Sequence, residues 1–534
     1  MASSHFHDRL LVAAEETVSG AFHLFWGGSL AAILSAVCAI LVARLLGPEL
    51  YGIYSLTLIV PGFLTLFTDY GVSQALTRFI ALYKSRGGGT HIILLLRVGL
   101  IFNILTCLIM FTVGFILTEP LTVLLINRPE IASLVRLTLI LILLQPLSSA
   151  TGCALLGFGD VKKLAIIDVI RQAIRTIVSP LLIVLGFSVF GALVGYILAF
   201  MIGTIISLVL ALRCSRSIEK PYLNPGLGRV LLEMLSYGLP LYLSSILGSF
   251  TATLRGVILA YFTTNVLIGN FHTAMNFTIL ITLISSPIAT VLFPIFSKLR
   301  SSEASIMFTY SVKYTSSLII PVAVFVAVMS RDLVFLFYGV DYSYAPLYLA
   351  LYALSFLFVG FGLAVLGSFF SGIGDSKVNL KATLLSVGIF IPSAVALTGT
   401  MGVEGMLTAI ILATASSTIY SLWVATRKYS LRIDLKSSVN IYFATLLAVA
   451  PIIPIALYSS MLSIVNLTLA AILYLVAYLT VIPLLKVLTR EDLENLTRIF
   501  SKVVVIQPIV KIISSYESKI MELIDMRNKP SINS

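Results

Sequence analysis

Apolar runs of about twenty residues follow one another almost without pause from Phe22 to Lys486, each long enough to cross the hydrocarbon core of a bilayer as a helix. The runs are continuously apolar and do not alternate, which excludes a β-barrel. The tightest partition predicts about fourteen transmembrane helices, so the expected fold class is an all-α polytopic membrane protein. The same pattern divides the chain. Residues 1–23 read as an amphipathic N-terminus on the cytoplasmic surface, 24–212 as a first lobe of six helices and 213–229 as a cytoplasmic linker. Residues 230–425 read as a second lobe of six helices, 439–487 as two further helices and 488–534 as a polar cytoplasmic tail. Apolar positions in that tail recur at helical spacing but are broken by Pro508 and are too short to span, as in an interfacial helix pair.

The pattern repeats. "LLGFGDVKKLAIIDVI" (155–170) aligns with "FFSGIGDSKVNLKATL" (369–384), matching Gly157, Gly159 and Asp160 to Gly372, Gly374 and Asp375 at an offset of 215. One deletion later, "GALVGYILA" (191–199) aligns with "GMLTAIILA" (405–413). A fainter echo links the segment leading to Gly52 and the basic loop Phe79 to Arg86 with the segment leading to Gly269 and Phe296 to Arg300. Two six-helix halves facing the same way, related by an axis along the membrane normal, form a transporter layout with a central path. The last two helices then lie outside the repeat.

Composition agrees: 59% of residues are apolar, 11% are charged and mean hydropathy is +1.05, far from the soluble average of roughly 45–50% apolar and 25% charged. The formal charge of +12 raises the question of nucleic acid. Its placement answers it. Lys84 and Arg86, Lys162 and Lys163, Arg213 to Arg229, Lys298 and Arg300, Lys377 and Lys381, and Arg427 to Lys436 fall at every second connection. The intervening connections, such as 186–191, 262–270 and 398–405, carry almost none. This positive-inside pattern predicts both termini in the cytoplasm, contact with anionic membrane lipids and no nucleic-acid partner. Cys38, Cys107, Cys153 and Cys214 show no CxxC spacing, so neither a disulfide framework nor a metal site is expected.

"ARLLGPELYGIYSLTLIVPGFLTLFTDYGVSQALTRFIALY" (43–83) resembles the N-terminal signature of the polysaccharide-biosynthesis, Wzx-like oligosaccharide flippases. These belong to the superfamily that also holds the multidrug and toxic-compound extrusion transporters and the lipid II flippase. The matching features are Ala43 to Pro48, Tyr51, Gly52 and Tyr54, then Asp69, Gly71, Ser73, Ala75, Leu76, Arg78 and Phe79. The two GxGD loops and "LTREDL" (488–493) are also similar to that family. The resemblance implies translocation of a polyprenyl- or dolichyl-linked oligosaccharide, two lobes alternating around a polar cavity, and a lipid tail running by the last two helices. Other polysaccharide-assembly proteins are then expected as partners.

Charges inside a span cost roughly 2.5–3.5 kcal/mol each on insertion scales and usually face a cavity or a partner. "IIDVIRQAIRTIVSP" (166–180) sets Asp168, Arg171 and Arg175 on one helix face. Arg175 lies roughly 18 Å in from Lys163, near the bilayer midplane. A permanently charged guanidinium that grips two oxygens suits a phosphate or pyrophosphate. The other reading of Asp168 and Arg171 is an internal ion pair that only holds helices together. Arg255 and Lys313, the latter between Tyr310 and Tyr314, are further cavity cations. Asp69 and Arg78 read equally as a structural pair, a lock between lobes or a substrate contact. Arg97 is expected to snorkel, whereas Asn270, His272 and Asn276 could hydrogen-bond a sugar, pass a proton or serve as packing glue.

No GxxxxGK[ST] loop occurs and no connection is long enough for a nucleotide-binding domain. Transport is then downhill or driven by a H⁺ or Na⁺ gradient, with Asp69, Asp168 and Glu404 as the acidic groups available to a coupling cation and no cofactor expected. Three functions stay open: a lipid-linked oligosaccharide flippase, a cation-coupled exporter of small molecules, and an integral-membrane glycosyltransferase or ligase. An exporter favours intramembrane carboxylates where this chain has arginines. A polytopic enzyme normally has a large external loop with an acidic motif, and the longest external segments, 118–131 and 331–346, are short and have no DxD.

Overall fold

In the computed structural model, residues 2–86, 89–216, 226–299, 301–431, 434–458, 462–485, 487, 492 and 514–520 are described, and for residues 2–25 only the backbone. The expected linker and tail therefore fall largely outside the described residues, as does the amphipathic character of residues 1–23. Every described element is helical. Eleven helical segments are long and apolar enough to cross a membrane, or twelve if the bent pair Ala345–Phe361 and Leu363–Gly372 is one span. That count falls short of the fourteen expected because continuous helix hides connections. The 40-residue segment Trp26–Thr65 runs through Gly47, and the 55-residue segment Val161–Ser215 runs through Gly186.

The chain forms two compact units. Residues 1–279 and 391–406 make the first, and 280–390 and 407–534 the second. In the first unit the helices used below are α1 (Ala2–Thr57), α2 (Val72–Ser85), α3 (Gly89–Ile116), α4 (Ile140–Gly157), α5 (Val161–Leu182), α6 (Ser188–Arg216), α7 (Leu227–Phe262) and α8 (Asn265–Asn276). Packing thus gathers α7 and α8 with the six helices before them. α1 is broken at Gly47, which has φ 73° and ψ 170°, open to glycine, and Pro48 opens the next helical stretch with its φ already set. The helix then passes α8 at very short range. A Cβ on Gly52 would lie 2.0 Å from the Asn265 carbonyl oxygen, and one on Gly269 would lie 1.9 Å from that of Pro48. The two glycines are counterparts in the faint repeat, so the crossing is reciprocal.

The second unit contains α9 (Ser301–Val328), α10 (Leu363–Gly372), the first part of α11 (Ser376–Met401), most of α12 (Val403–Tyr429), α13 (Leu435–Val449) and α14 (Ser463–Leu484). Two of its buried clusters matter most here. Phe296, Phe308, Phe369 and Phe370 form one, and Ile441, Ala444, Tyr474 and Tyr478 join α13 to α14 in the other.

The two GxGD loops have the same construction in their separate units. Gly159 and Gly374 both take positive φ, 77° and 82°. Gly157 packs on Thr77 and Ile80, and its counterpart Gly372 on Phe293 and Phe296. Asp160 accepts from Lys163 at 2.8 Å and from the Cys214 thiol at 3.1 Å. Asp375 accepts from Lys428 and from the Tyr429 hydroxyl, both at 2.6 Å. Burial works to raise the Asp160 pKa, but the Lys163 and Cys214 hydrogen bonds outweigh it and hold the carboxyl below its ordinary range. The Lys428 and Tyr429 hydrogen bonds hold Asp375 low.

Candidate functional site

Arg175 projects from α5 into the first unit. Its Nη2 donates to the Tyr54 hydroxyl at 3.1 Å, and its guanidinium carbon stands 4.3 Å from the centre of the Tyr196 ring. Nε is buried and has no hydrogen-bond partner. The five ion pairs of the described residues are Arg136–Glu119, Lys163–Asp160, Arg171–Asp168, Lys313–Asp492 and Lys428–Asp375, and Arg175 is in none of them. The guanidinium is therefore held by one phenol oxygen and one ring face. It retains unmatched charge and an unused donor.

Four more helices fix that arrangement. On α1, Tyr54 stacks on Tyr51, one turn earlier, with ring centres 5.9 Å apart. On α8, the Asn276 amide donates to the Tyr51 hydroxyl at 3.0 Å. On α4, the Gln145 amide donates to the Tyr196 hydroxyl of α6 at 3.3 Å. The Cys38 thiol of α1 donates to the Arg175 carbonyl at 3.6 Å, tying α1 to α5 beside the guanidinium. Tyr51 and Tyr54 are each about 5% exposed, so their rings are fixed and Arg175 is preorganised.

One turn closer to the α5 N-terminus, Arg171 pairs with Asp168 at 2.7 Å, donates to Ser148 Oγ at 3.4 Å and lies 4.8 Å from the Phe200 ring centre. The ion-pair geometry of Asp168 and Arg171 is thus present, and the pair lies on the same α5 face as Arg175. Between them Gln172 has a buried side-chain oxygen without a partner.

The remaining candidates are dispersed. Asp69 Oδ1 accepts from the Ser73 amide at 3.1 Å and from Asn103 Nδ2 at 3.2 Å, so it caps α2 and tethers α3. Arg78 lies over the Tyr237 ring at 4.2 Å, so Asp69 and Arg78 have separate partners. Arg255 on α7 is an electrostatic neighbour of His272 on α8. Asn270 is buried and donates to the Val266 carbonyl within its own helix. Lys313 pairs with Asp492 at 2.6 Å, and Tyr314 donates to the same carboxylate at 2.7 Å. That pair is nearly closed off, the side chains being 10% and 3% exposed, so the charge of Lys313 is neutralised within the second unit. Glu404 lies in the first turn of α12, where a carboxylate complements the helix dipole.

Tyr196 and Gln145 were not found from the sequence. Both sit on apolar helices of ordinary pattern and reach Arg175 only through tertiary packing. Tyr51 and Tyr54 carried a signal, since both belong to the 43–83 signature.

The family model described as polysaccharide biosynthesis protein matches residues 17–300, more than half of the chain. The chain belongs to that family. The match spans the whole Arg175 neighbourhood, from Cys38 to Asn276. No curated protein matches this member of the family. Among solved structures, the lipid II flippase MurJ in an inward closed conformation is similar with a TM-score of 0.69 at 15% identity, covering 86% of this chain and 98% of its own. An inward-facing multidrug resistance MATE family transporter of the MOP superfamily is similar with a TM-score of 0.61 at 17% identity, covering 75% and 94%. A MOP superfamily transporter from Pyrococcus furiosus reaches 0.55 at 17% identity, over 78% and 95%. At such identities the likeness is one of fold. The family rests on its model, and the solved structures add a fold like that of MurJ and of MATE transporters.

Proposed function

We propose that the protein is a flippase that moves a polyprenyl- or dolichyl-linked oligosaccharide from the cytoplasmic to the outer leaflet by alternating access. Arg175 carries this reading. A half-buried guanidinium whose partners are a phenol and a ring face, with its Nε buried and unpartnered, suits a ligand that brings its own negative charge, as a pyrophosphate linkage does. The Arg171–Asp168 pair on the same face supplies a second cation, and an incoming phosphate can share it by loosening Asp168. Arg255 beside His272 is a third positive position. The family, whose name concerns polysaccharide biosynthesis, agrees with such a cargo.

The sequence repeat and the positive-inside charge pattern support this reading, since both fit two halves of like orientation with cytoplasmic termini. An apolar groove of about 560 Å³ between α1 and α5, with Lys162 on its lining, offers an isoprenoid tail a surface on the first unit. Energy enters without nucleotide hydrolysis, through the cargo gradient or a coupled cation. A cation-coupled exporter would need a free carboxylate at its cavity, and on the α5 face the only one, Asp168, is committed to Arg171.

Native mass spectrometry of the full chain in lipid nanodiscs tests the ligand class, with a polyprenyl pyrophosphate as probe and the corresponding uncharged polyprenol as control. Binding of the pyrophosphate, with loss of about tenfold or more in Arg175→Ala, is expected. Equal binding of the two lipids would contradict the reading.

A further inference from the structure

The repeat places two versions of one pocket in this chain, and only the first is filled by protein. At the offset of 215, Ser148, Asp168 and Arg171 correspond to Leu363, Thr383 and Ser386. Past the one-residue deletion the offset is 214, and Gly203 corresponds to Ser417. In the first unit Arg171 occupies the space, paired with Asp168, bonded to Ser148 and running its stem 3.4 Å from where a Gly203 Cβ would stand. In the second unit the arginine is a serine and the aspartate a threonine. What remains is a cavity of about 310 Å³ between α10, α11 and α12.

Its lining has no charge and is rich in oxygen: Asn379, Thr383, Ser386, Ser417, Thr418 and Ser421 all face it. Much of their hydrogen is committed to the protein. Thr383 donates to the Asn379 carbonyl at 2.9 Å, Ser417 and Thr418 to that of Thr414 at 3.0 and 2.8 Å, and the Asn379 amide to Gly367 O and Ser371 Oγ at 3.0 and 2.9 Å. Each of these groups keeps lone pairs for the cavity. A concave, uncharged surface of acceptors complements hydroxyl donors. Ligand pockets run from roughly 300 to 1,000 Å³, so this one has room for a single ring.

We infer that this pocket of the second unit is a sugar subsite that takes one neutral pyranose ring of the lipid-linked glycan through its hydroxyl groups. The inference rests on the flippase reading and deepens it. One ancestral pocket has two fates: with Arg171 it answers a phosphate, and with Ser386 it answers a polyol.

The test uses the full chain in nanodiscs with two probes, a polyprenyl pyrophosphate and the same lipid carrying a neutral oligosaccharide of several rings. Wild type binds the sugar-bearing probe about tenfold more tightly, the worth of a few hydrogen bonds. Thr383→Val with Ser417→Ala removes two acceptor oxygens at nearly constant volume, and Ser386→Leu fills the cavity. Both variants bind the bare pyrophosphate as wild type does and lose the sugar increment. Thr383→Val alone, close to isosteric, loses part of it should either variant fail to fold. Retention of the full increment in every folded variant overturns the subsite and leaves the flippase reading standing. Loss of a Na⁺-dependent thermal shift in the variants, with the sugar increment intact, assigns the pocket to a cation and also overturns it. Failure of wild type to bind either probe overturns the flippase reading, and the inference with it.

Discussion

Arg175 is held in a low-dielectric surrounding by interactions weaker than a carboxylate would give. A cation over a desolvated ring is worth about 2 kcal/mol, and a hydrogen bond involving a charged group about 1.5–3 kcal/mol, so the site keeps charge in reserve for a ligand. Arg175→Met should therefore keep the melting temperature at or above that of wild type in detergent while abolishing pyrophosphate binding, because an apolar replacement of a buried ion is often neutral or stabilising. A fall of many degrees would make Arg175 a structural residue. Arg175→Lys should bind about tenfold more weakly than wild type, since a point charge cannot grip two oxygens. Glu517 gives a second prediction at this scale. It is 1% exposed, has an unpartnered carboxyl oxygen, and burial pushes its pKa up to about 7. A raised carboxyl pKa means that the folded state holds the proton, so stability is fullest below the ordinary value near 4.5 and declines as pH rises to about 7. Protection factors at 514–520, corrected for the intrinsic pH dependence of amide exchange, should be higher at pH 5 than at pH 8, and Glu517→Gln should remove the difference. The Asp168–Arg171 pair was legible from i,i+3 spacing. Lys313 was read as a cavity cation, because its partner Asp492 is 179 positions away and could not be paired by pattern.

Between helices, the α1 and α8 crossing depends on two positions that tolerate no side chain. Gly52→Ala would put a methyl group 2.0 Å from the Asn265 carbonyl oxygen, and Gly269→Ala one 1.9 Å from that of Pro48. Each should cost about 1–3 kcal/mol, read as a lower melting temperature. Gly28→Ala, where nothing lies within 4 Å, should not. An unchanged melting temperature in both crossing variants would contradict the close approach. The helices themselves were legible from uninterrupted apolar runs. Their separation was not, because Gly47 and Gly186 turn the chain without releasing the helical hydrogen-bond pattern on either side. The two aspartates of the GxGD loops were aligned by sequence, and the structure adds why the motif recurs: each fastens its loop to a lysine and to the end of a helix about fifty positions on, Cys214 or Tyr429.

Across the whole molecule, the internal repeat has unequal chemistry in its halves, as the proposed cargo of a charged linkage and a neutral glycan would need. The ion pair of Asp168 and Arg171 has the neutral hydroxyl counterparts Thr383 and Ser386, and Arg175 corresponds to the buried Phe390. The repeat was visible in the sequence through Gly and Asp, which the loop geometry constrains. The pocket it produced was not, because a cavity depends on which side chains are absent. The measurement that tests the central claim most directly is leaflet exchange in liposomes containing the purified full chain, with a fluorescent lipid-linked oligosaccharide loaded in one leaflet and a cationic dye in parallel vesicles. Wild type should exchange the glycolipid and leave the dye, and Arg175→Ala should lose exchange with its fold intact. Transport of the dye without glycolipid exchange, or exchange undiminished in Arg175→Ala, would contradict the account.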